Sequence, residues 1–115
     1  MTRLKKISYT YEVGRRRSAS ARIRLFKGEG ENQVNGQPFE KYFDEAIDES
    51  LWEAPFKLTD TASKYYVSVK VSGGGKRGQL EAMVHGIAKA FAKENPEKFK
   101  LILRKTGLLT RDARI

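Results

Sequence analysis

The sequence predicts an α+β domain, a two-layer sandwich with helices packed on one face of a mixed sheet. Three observations carry this. Residues 19–25 and 65–71 alternate apolar and polar side chains with period two, the signature of half-buried strands. From Leu80 to Phe91 the apolar positions instead recur at i, i+3, i+4, i+7, i+8 and i+11, an amphipathic helix. The elements also run in the order strands, helical segment, strand, two helices, which suits helices gathered on one side of a sheet.

Residues 7–13 form the first expected strand, rich in Tyr and β-branched residues. Gly14-Arg15-Arg16-Arg17-Ser18 reads as a tight connection. In the second strand Ala19, Ala21, Ile23 and Leu25 share the core face, with Arg22 and Arg24 on the other. A Gly-rich turn over 27–31 leads to a brief strand at Gln33-Val34 and the Asn35-Gly36 turn. Pro38 opens a helical stretch with Phe39, Tyr42 and Phe43, followed by a second with Ile47, Leu51 and Trp52. The bias of a residue preceding proline predicts its end before Pro55. In the strand over 65–71, Tyr65, Val67, Val69 and Val71 face one way and Tyr66, Ser68 and Lys70 the other. The long helix is expected from about Arg77 to Asn95. Asn95-Pro96-Glu97 then caps a last helix that buries Phe99, Ile102 and Leu103 and ends near Gly107. Residues 1–107 are read as one domain and 108–115 as a basic C-terminal extension.

Charge is strongly segregated. Residues 1–27 carry nine Lys or Arg against one acid, residues 28–69 three against nine, and residues 70–115 eleven against four. Two basic ends around an acidic middle predict a polyanion-facing side. The dispersed acids read as a solvated helix face rather than a metal site. With no cysteine, disulfides, thiol nucleophiles and thiolate metal sites are excluded, and a cytoplasmic setting is expected. No apolar run is long enough to span a bilayer, so no membrane partner is expected.

The loop Gly73-Gly74-Gly75-Lys76-Arg77-Gly78-Gln79 lies between a strand and a helix, and its cations suit phosphate. Gly73-x-Gly75-x-x-Gly78 has the form of a dinucleotide fingerprint. That motif requires a following parallel strand with an acid for the ribose, whereas here a second helix follows. A phosphate-binding P-loop fails as well, since Gln79 follows Gly78. His85, the single histidine, has no nucleophile assigned to it by the sequence. A nucleotide-binding enzyme is thus the weaker reading, and neither cofactor nor metal is expected. Arginine's planar fork instead suits phosphate oxygens. Tyr9, Tyr11, Tyr65 and Tyr66 sit on strands but do not interleave with the basic residues, so packing is their expected role.

These residues carry a resemblance. Gly73-Gly74-Gly75 and Gly78-Gln79, then Ala82, Gly86 and Ala88-Lys89-Ala90-Phe91, resemble the signature of the small-subunit ribosomal protein S-nine family. Gly14-Arg15-Arg16-Arg17-Ser18 with Ala21-Arg22, then Asn35-Gly36, Tyr42-Phe43 and residues 109–114, are similar to its further motifs in the same order. The resemblance is to the bacterial type, with an organellar ribosome as the alternative setting. It implies a fold like the second domain of ribosomal protein S-five, with a left-handed βαβ crossover. It also implies a place in the head of the small (30S) subunit, on the 3′ major domain of 16S rRNA and beside neighbouring ribosomal proteins.

The RNA contacts it implies are Arg15, Arg16, Arg17, Ser18, Arg22, Arg24, Lys70, Lys76, Arg77, Arg104, Lys105, Thr110, Arg111 and Arg114. Gly73, Gly74, Gly75 and Gly78 form the structural loop. Family members usually continue into a basic tail that reaches the P-site tRNA. This sequence stops at Ile115, so its residues are assigned no tRNA contact. A basic module that binds nucleic acid outside a ribosome is the remaining alternative.

Overall fold

The structure, a computed structural model, describes residues 9–16, 18–61, 63–105 and 107. A five-stranded mixed sheet carries helices on one face. The strands are β1 (Thr10–Arg16), β2 (Ala19–Lys27), β3 (Gln33–Val34), β4 (Gln37–Pro38) and β5 (Tyr65–Ser72), in spatial order β1-β2-β5-β3-β4. The helices are α1 (Phe39–Tyr42), α2 (Ala46–Thr59), α3 (Lys76–Glu94) and α4 (Leu101–Lys105), the last entered through a π-helical turn over Pro96–Lys100. Only β3 and β5 pair in parallel, and the chain crosses between them through α1 and α2.

The two alternating segments become adjacent antiparallel strands, with Ala21 opposite Val71, Ile23 opposite Val69 and Leu25 opposite Val67. Their inner side chains form the core with Leu80, Met83, Ile87, Ala88 and Phe91 of α3, while Val84 is only partly buried. Phe91 meets Phe56, Tyr65 and Phe99 edge-on at centroid distances of 5.3–5.6 Å, an aromatic cluster that joins α2, β5 and the final turn to α3. Asn35 and Gly36, at φ 52° and 82°, make the tight turn between β3 and β4. The brief β3 is reinforced by side chains: Asn32 accepts from the Val67 N–H at 3.0 Å, and Asn35 accepts from the Val71 N–H at 2.9 Å.

Four expectations are corrected. Gly14, Arg15 and Arg16 belong to β1, not to a connection. Gly14 pairs with Ala21, and a Cβ there would strike the Ala82 carbonyl and the Gly86 backbone, so β1 can continue beneath α3 only as glycine. Of the expected strand over 7–13, residues 7 and 8 lie outside the described residues. Second, α2 does not end before Pro55 but runs on to Thr59. An interior proline costs about 3 kcal/mol. Continuing the helix encloses Pro55 and buries Phe56, each such side chain contributing about 1.5–3 kcal/mol. Third, Leu51 is exposed while Trp52 packs edge-on against Phe39 at 5.1 Å; Ile47 lies outside the described side chains. Fourth, Ile102 is exposed, because the π-helical turn rotates α4 so that Phe99 and Leu103 face inward. The expected cap is present, with the Asn95 side chain accepting from the Lys98 N–H at 3.2 Å.

Candidate nucleic-acid interface

The helices cover one face of the sheet, and the pleat decides what the other face shows. On β1 it presents Tyr11, Val13 and Arg15; on β2, Ser20, Arg22, Arg24 and Phe26; on β5, Tyr66, Ser68, Lys70 and Ser72. This set holds four cations and no carboxylate. Arg22 stands directly opposite Lys70, and Arg24 opposite Tyr11 and Ser68. Like charges placed opposite across strands repel one another. All four cations are exposed, and none has an acidic partner among the described residues.

Several cations elsewhere are engaged within the chain. Arg16 points to the helix side, where its Nε lies 2.7 Å from Glu81 Oε1 on α3. Lys89 lies 3.5 Å from Glu12 and donates to the Val13 carbonyl at 2.9 Å; Lys93 donates to the Tyr11 carbonyl at 3.0 Å. These two lysines thus cap the edge strand β1, whose backbone would otherwise be open to pairing. The open face thus gathers cations with no carboxylate beside them.

At the end of the sheet near Arg15, the glycine loop forms a rim. Gly73 and Gly74 have φ of 77° and 55°, and the loop packs onto the turn into β2, where a Cβ on Gly73 would meet the Ser18 carbonyl. Gln79 donates to the Gly73 carbonyl at 3.0 Å and accepts from Tyr42 Oη at 2.8 Å. Lys76 donates to the Tyr42 carbonyl at 2.9 Å and lies 4.3 Å from the centre of its ring. Sequence reasoning missed this network of Tyr42, Lys76 and Gln79, because Tyr42 lies 37 and 34 residues from Gln79 and Lys76. Arg77, one residue beyond Lys76, is exposed without a partner among the described residues. The glycines divide. Gly75, at φ −120°, would carry a Cβ with nothing within 4 Å of it, and one on Gly78 would make only an ordinary 3.5 Å contact with Ala19. The fold requires Gly73 and Gly74 but neither Gly75 nor Gly78.

The structure thus brings together Arg15, Ser18, Arg22, Arg24, Lys70 and Arg77, on one face and its rim. Arg16 and Lys76 lie close by but hold the chain itself. Arg104 and Lys105 are exposed at the end of α4, which packs against α2 in the helix layer and not on the open face. Arg17, Thr110, Arg111 and Arg114 lie outside the described residues.

Acids gather on the helix layer instead. There the hydrogen bond and charge of Glu53 hold the Glu49 carboxyl above its usual range. Burial, then the Glu94 charge, raises the Tyr65 hydroxyl. At the far end of the sheet a cleft of about 340 Å³ lies between Lys27, Lys64 and Lys98, with Thr59 and Thr61 hydroxyls bonded to each other at 2.8 Å. His85 is half-buried on α3 and engaged within the chain. Among the described residues no group of three or more His, Asp or Glu side chains could hold a metal ion, and no helix is long and apolar enough to cross a membrane.

Comparison with known proteins fits this geometry. Residues 14–115 match the family described as ribosomal protein S9/S16. The chain is also similar to the small ribosomal subunit protein uS9 of Maridesulfovibrio salexigens, at 44% identity over 106 residues, covering 92% of this chain and 81% of that protein.

Proposed function

The chain belongs to the ribosomal protein S9/S16 family, and from that premise we propose that its open sheet face and glycine rim bind the 16S rRNA of the subunit head. At the coarser level it is a structural protein of the small ribosomal subunit that serves translation, and not an enzyme. One observation carries the finer reading. Arg22 and Lys70 face each other across β2 and β5 on a surface without carboxylates. Such a pair opposes folding unless an external anion lies over it, and an RNA backbone supplies that anion.

In this reading Arg15, Ser18, Arg22, Arg24, Lys70 and Arg77 contact phosphate or sugar. Arg16 and Lys76 fix the strand end and the rim. Gly73 and Gly74 shape the loop, while Gly75 and Gly78 leave it low enough for a backbone to approach. Arg104 and Lys105 form a separate contact on the helix side. Arg17, Thr110, Arg111 and Arg114 are proposed as contacts on the family resemblance alone.

Titration of a transcript of the 16S rRNA 3′ major domain at several salt concentrations tests this. Each neutralised phosphate contributes a slope of about −0.7 to −0.9 in log affinity against log salt. Arg22→Ala and Lys70→Ala are each expected to make the slope shallower by close to one phosphate, whereas Lys57→Ala, on α2, leaves it unchanged. An affinity insensitive to salt, or equal losses for all three variants, would refute the assignment of the face.

A further inference from the structure

We infer that the open face receives double-stranded RNA through its phosphates and 2′-hydroxyls, and not single-stranded RNA through stacked bases. The inference rests on the proposed RNA binding and names the form of RNA that this face takes. Readers of single strands present two or three neighbouring aromatic faces to successive bases. This sheet has four aromatic residues on or beside its open face, and their contacts leave no such pair. Phe26 and Tyr66, opposite one another in the register, stack at 5.0 Å with planes 15° apart. The backbone at Gly30 closes onto the same Tyr66 ring, where a Cβ would come within 2.7–2.9 Å of its atoms. Tyr9 leans on Phe26 at 5.4 Å, and the Arg24 guanidinium lies 5.4 Å from its ring centre. Tyr11 alone has no ring or cation contact among the described residues.

The polar groups have the opposite arrangement. Arg22 and Lys70 are one strand spacing apart, about 4.8 Å, and Arg24 lies about 7 Å further along β2. Ser20, Ser68 and Ser72 stand between and beside them on the same face. Hydroxyls interspersed with cations on an even surface suit the wide minor groove of an A-form helix, which displays 2′-hydroxyls flanked by two rows of phosphates. Beyond the rim, Gly75 and Gly78 add no side chain to obstruct a second backbone.

Fluorescence anisotropy decides the question with four probes: a 20-base-pair RNA duplex, the DNA duplex of the same sequence, a 20-nucleotide oligouridine, and the 16S rRNA 3′ major domain transcript. The RNA duplex is expected to bind at least tenfold more tightly than oligouridine and several-fold more tightly than DNA. Ser68→Ala should narrow the RNA–DNA difference. Tyr11→Ala should change RNA affinity less than twofold, whereas losing a stacked base would cost about fivefold or more. Thermal melting checks that each variant is folded. Oligouridine bound as tightly as the duplex, or a loss of about fivefold or more with Tyr11→Ala, overturns this inference while binding of the transcript leaves the RNA reading standing. No binding to any RNA probe overturns both.

Discussion

Gly14 and Gly75 both stand beside basic residues, yet the structure gives them opposite standing. Gly14 lies where β1 passes under α3, with the Ala82 carbonyl and Gly86 backbone in the space a Cβ would occupy, and Gly86 in turn abuts Ile23. Backbone on both sides cannot move aside as a side-chain tip can. Gly14→Ala is therefore expected to destabilise by about 1–3 kcal/mol or more. Gly75 has an ordinary extended φ and open space around it. Gly75→Ala should leave stability unchanged or raise it by about 0.4–1 kcal/mol, through a less flexible unfolded chain. Urea denaturation of the two variants measures the contrast. Equal losses would mean that the rim is as tightly packed as the strand crossing.

At the scale of elements, β1 shows how a sheet edge and the open face are kept apart. Its free side is capped by Lys89 and Lys93 reaching from α3 to the Val13 and Tyr11 carbonyls. Each hydrogen bond of this kind contributes about 0.5–1.5 kcal/mol, less for the exposed Lys93. The double variant Lys89→Met, Lys93→Met should lower the melting temperature. It should also associate at high concentration, because the edge is then open to strand pairing. A monomer in size-exclusion chromatography at all concentrations would show that the lysines do not guard the edge. The same scale explains the two helices that departed from sequence expectation. The local rule at Pro55 is a preference of a few kcal/mol, and burial of Phe56 outweighs it. The rotation of α4 follows from the π-helical turn, which inserts a residue into the helical period and so turns Ile102 out while Leu103 stays in the core.

For the molecule as a whole, the governing feature is that the carboxylates are kept off the open face. Strands β1, β2 and β5 build the open face, and the acids of α1 and α2 lie on the helix side. This places a cost on the free protein, since Arg22, Arg24, Lys70 and Arg15 repel one another without RNA. Lys70→Gln should stabilise the isolated protein by a few tenths of a kcal/mol at low salt, through loss of the cross-strand repulsion, while it weakens RNA binding. The stabilisation should vanish near 1 M salt, where the Debye length is about 3 Å. Chemical denaturation with urea at both salt concentrations, beside an RNA titration, tests the exchange of stability for affinity. Destabilisation at low salt would show that Lys70 serves the fold.

The sequence by itself determined the α+β class, the two central strands, α3 and its buried face, and the Asn95 cap. Those rest on short-range periodicity and local hydrogen bonding, which a linear pattern encodes completely. It also determined that Arg22 and Arg24 share a face, because the pleat alternates strictly. Tertiary structure alone decided that Lys70 stands opposite Arg22, that Arg16 turns inward to Glu81 and Lys76 to Tyr42, and that Phe26 and Gly30 occupy the Tyr66 ring. Each of these contacts joins residues far apart in the chain, and such pairing depends on strand register and on how α3 lies over the sheet. The division between cations that hold the protein and cations left on the open face without an acidic partner is a consequence of that register, so no local pattern in the chain could have shown it.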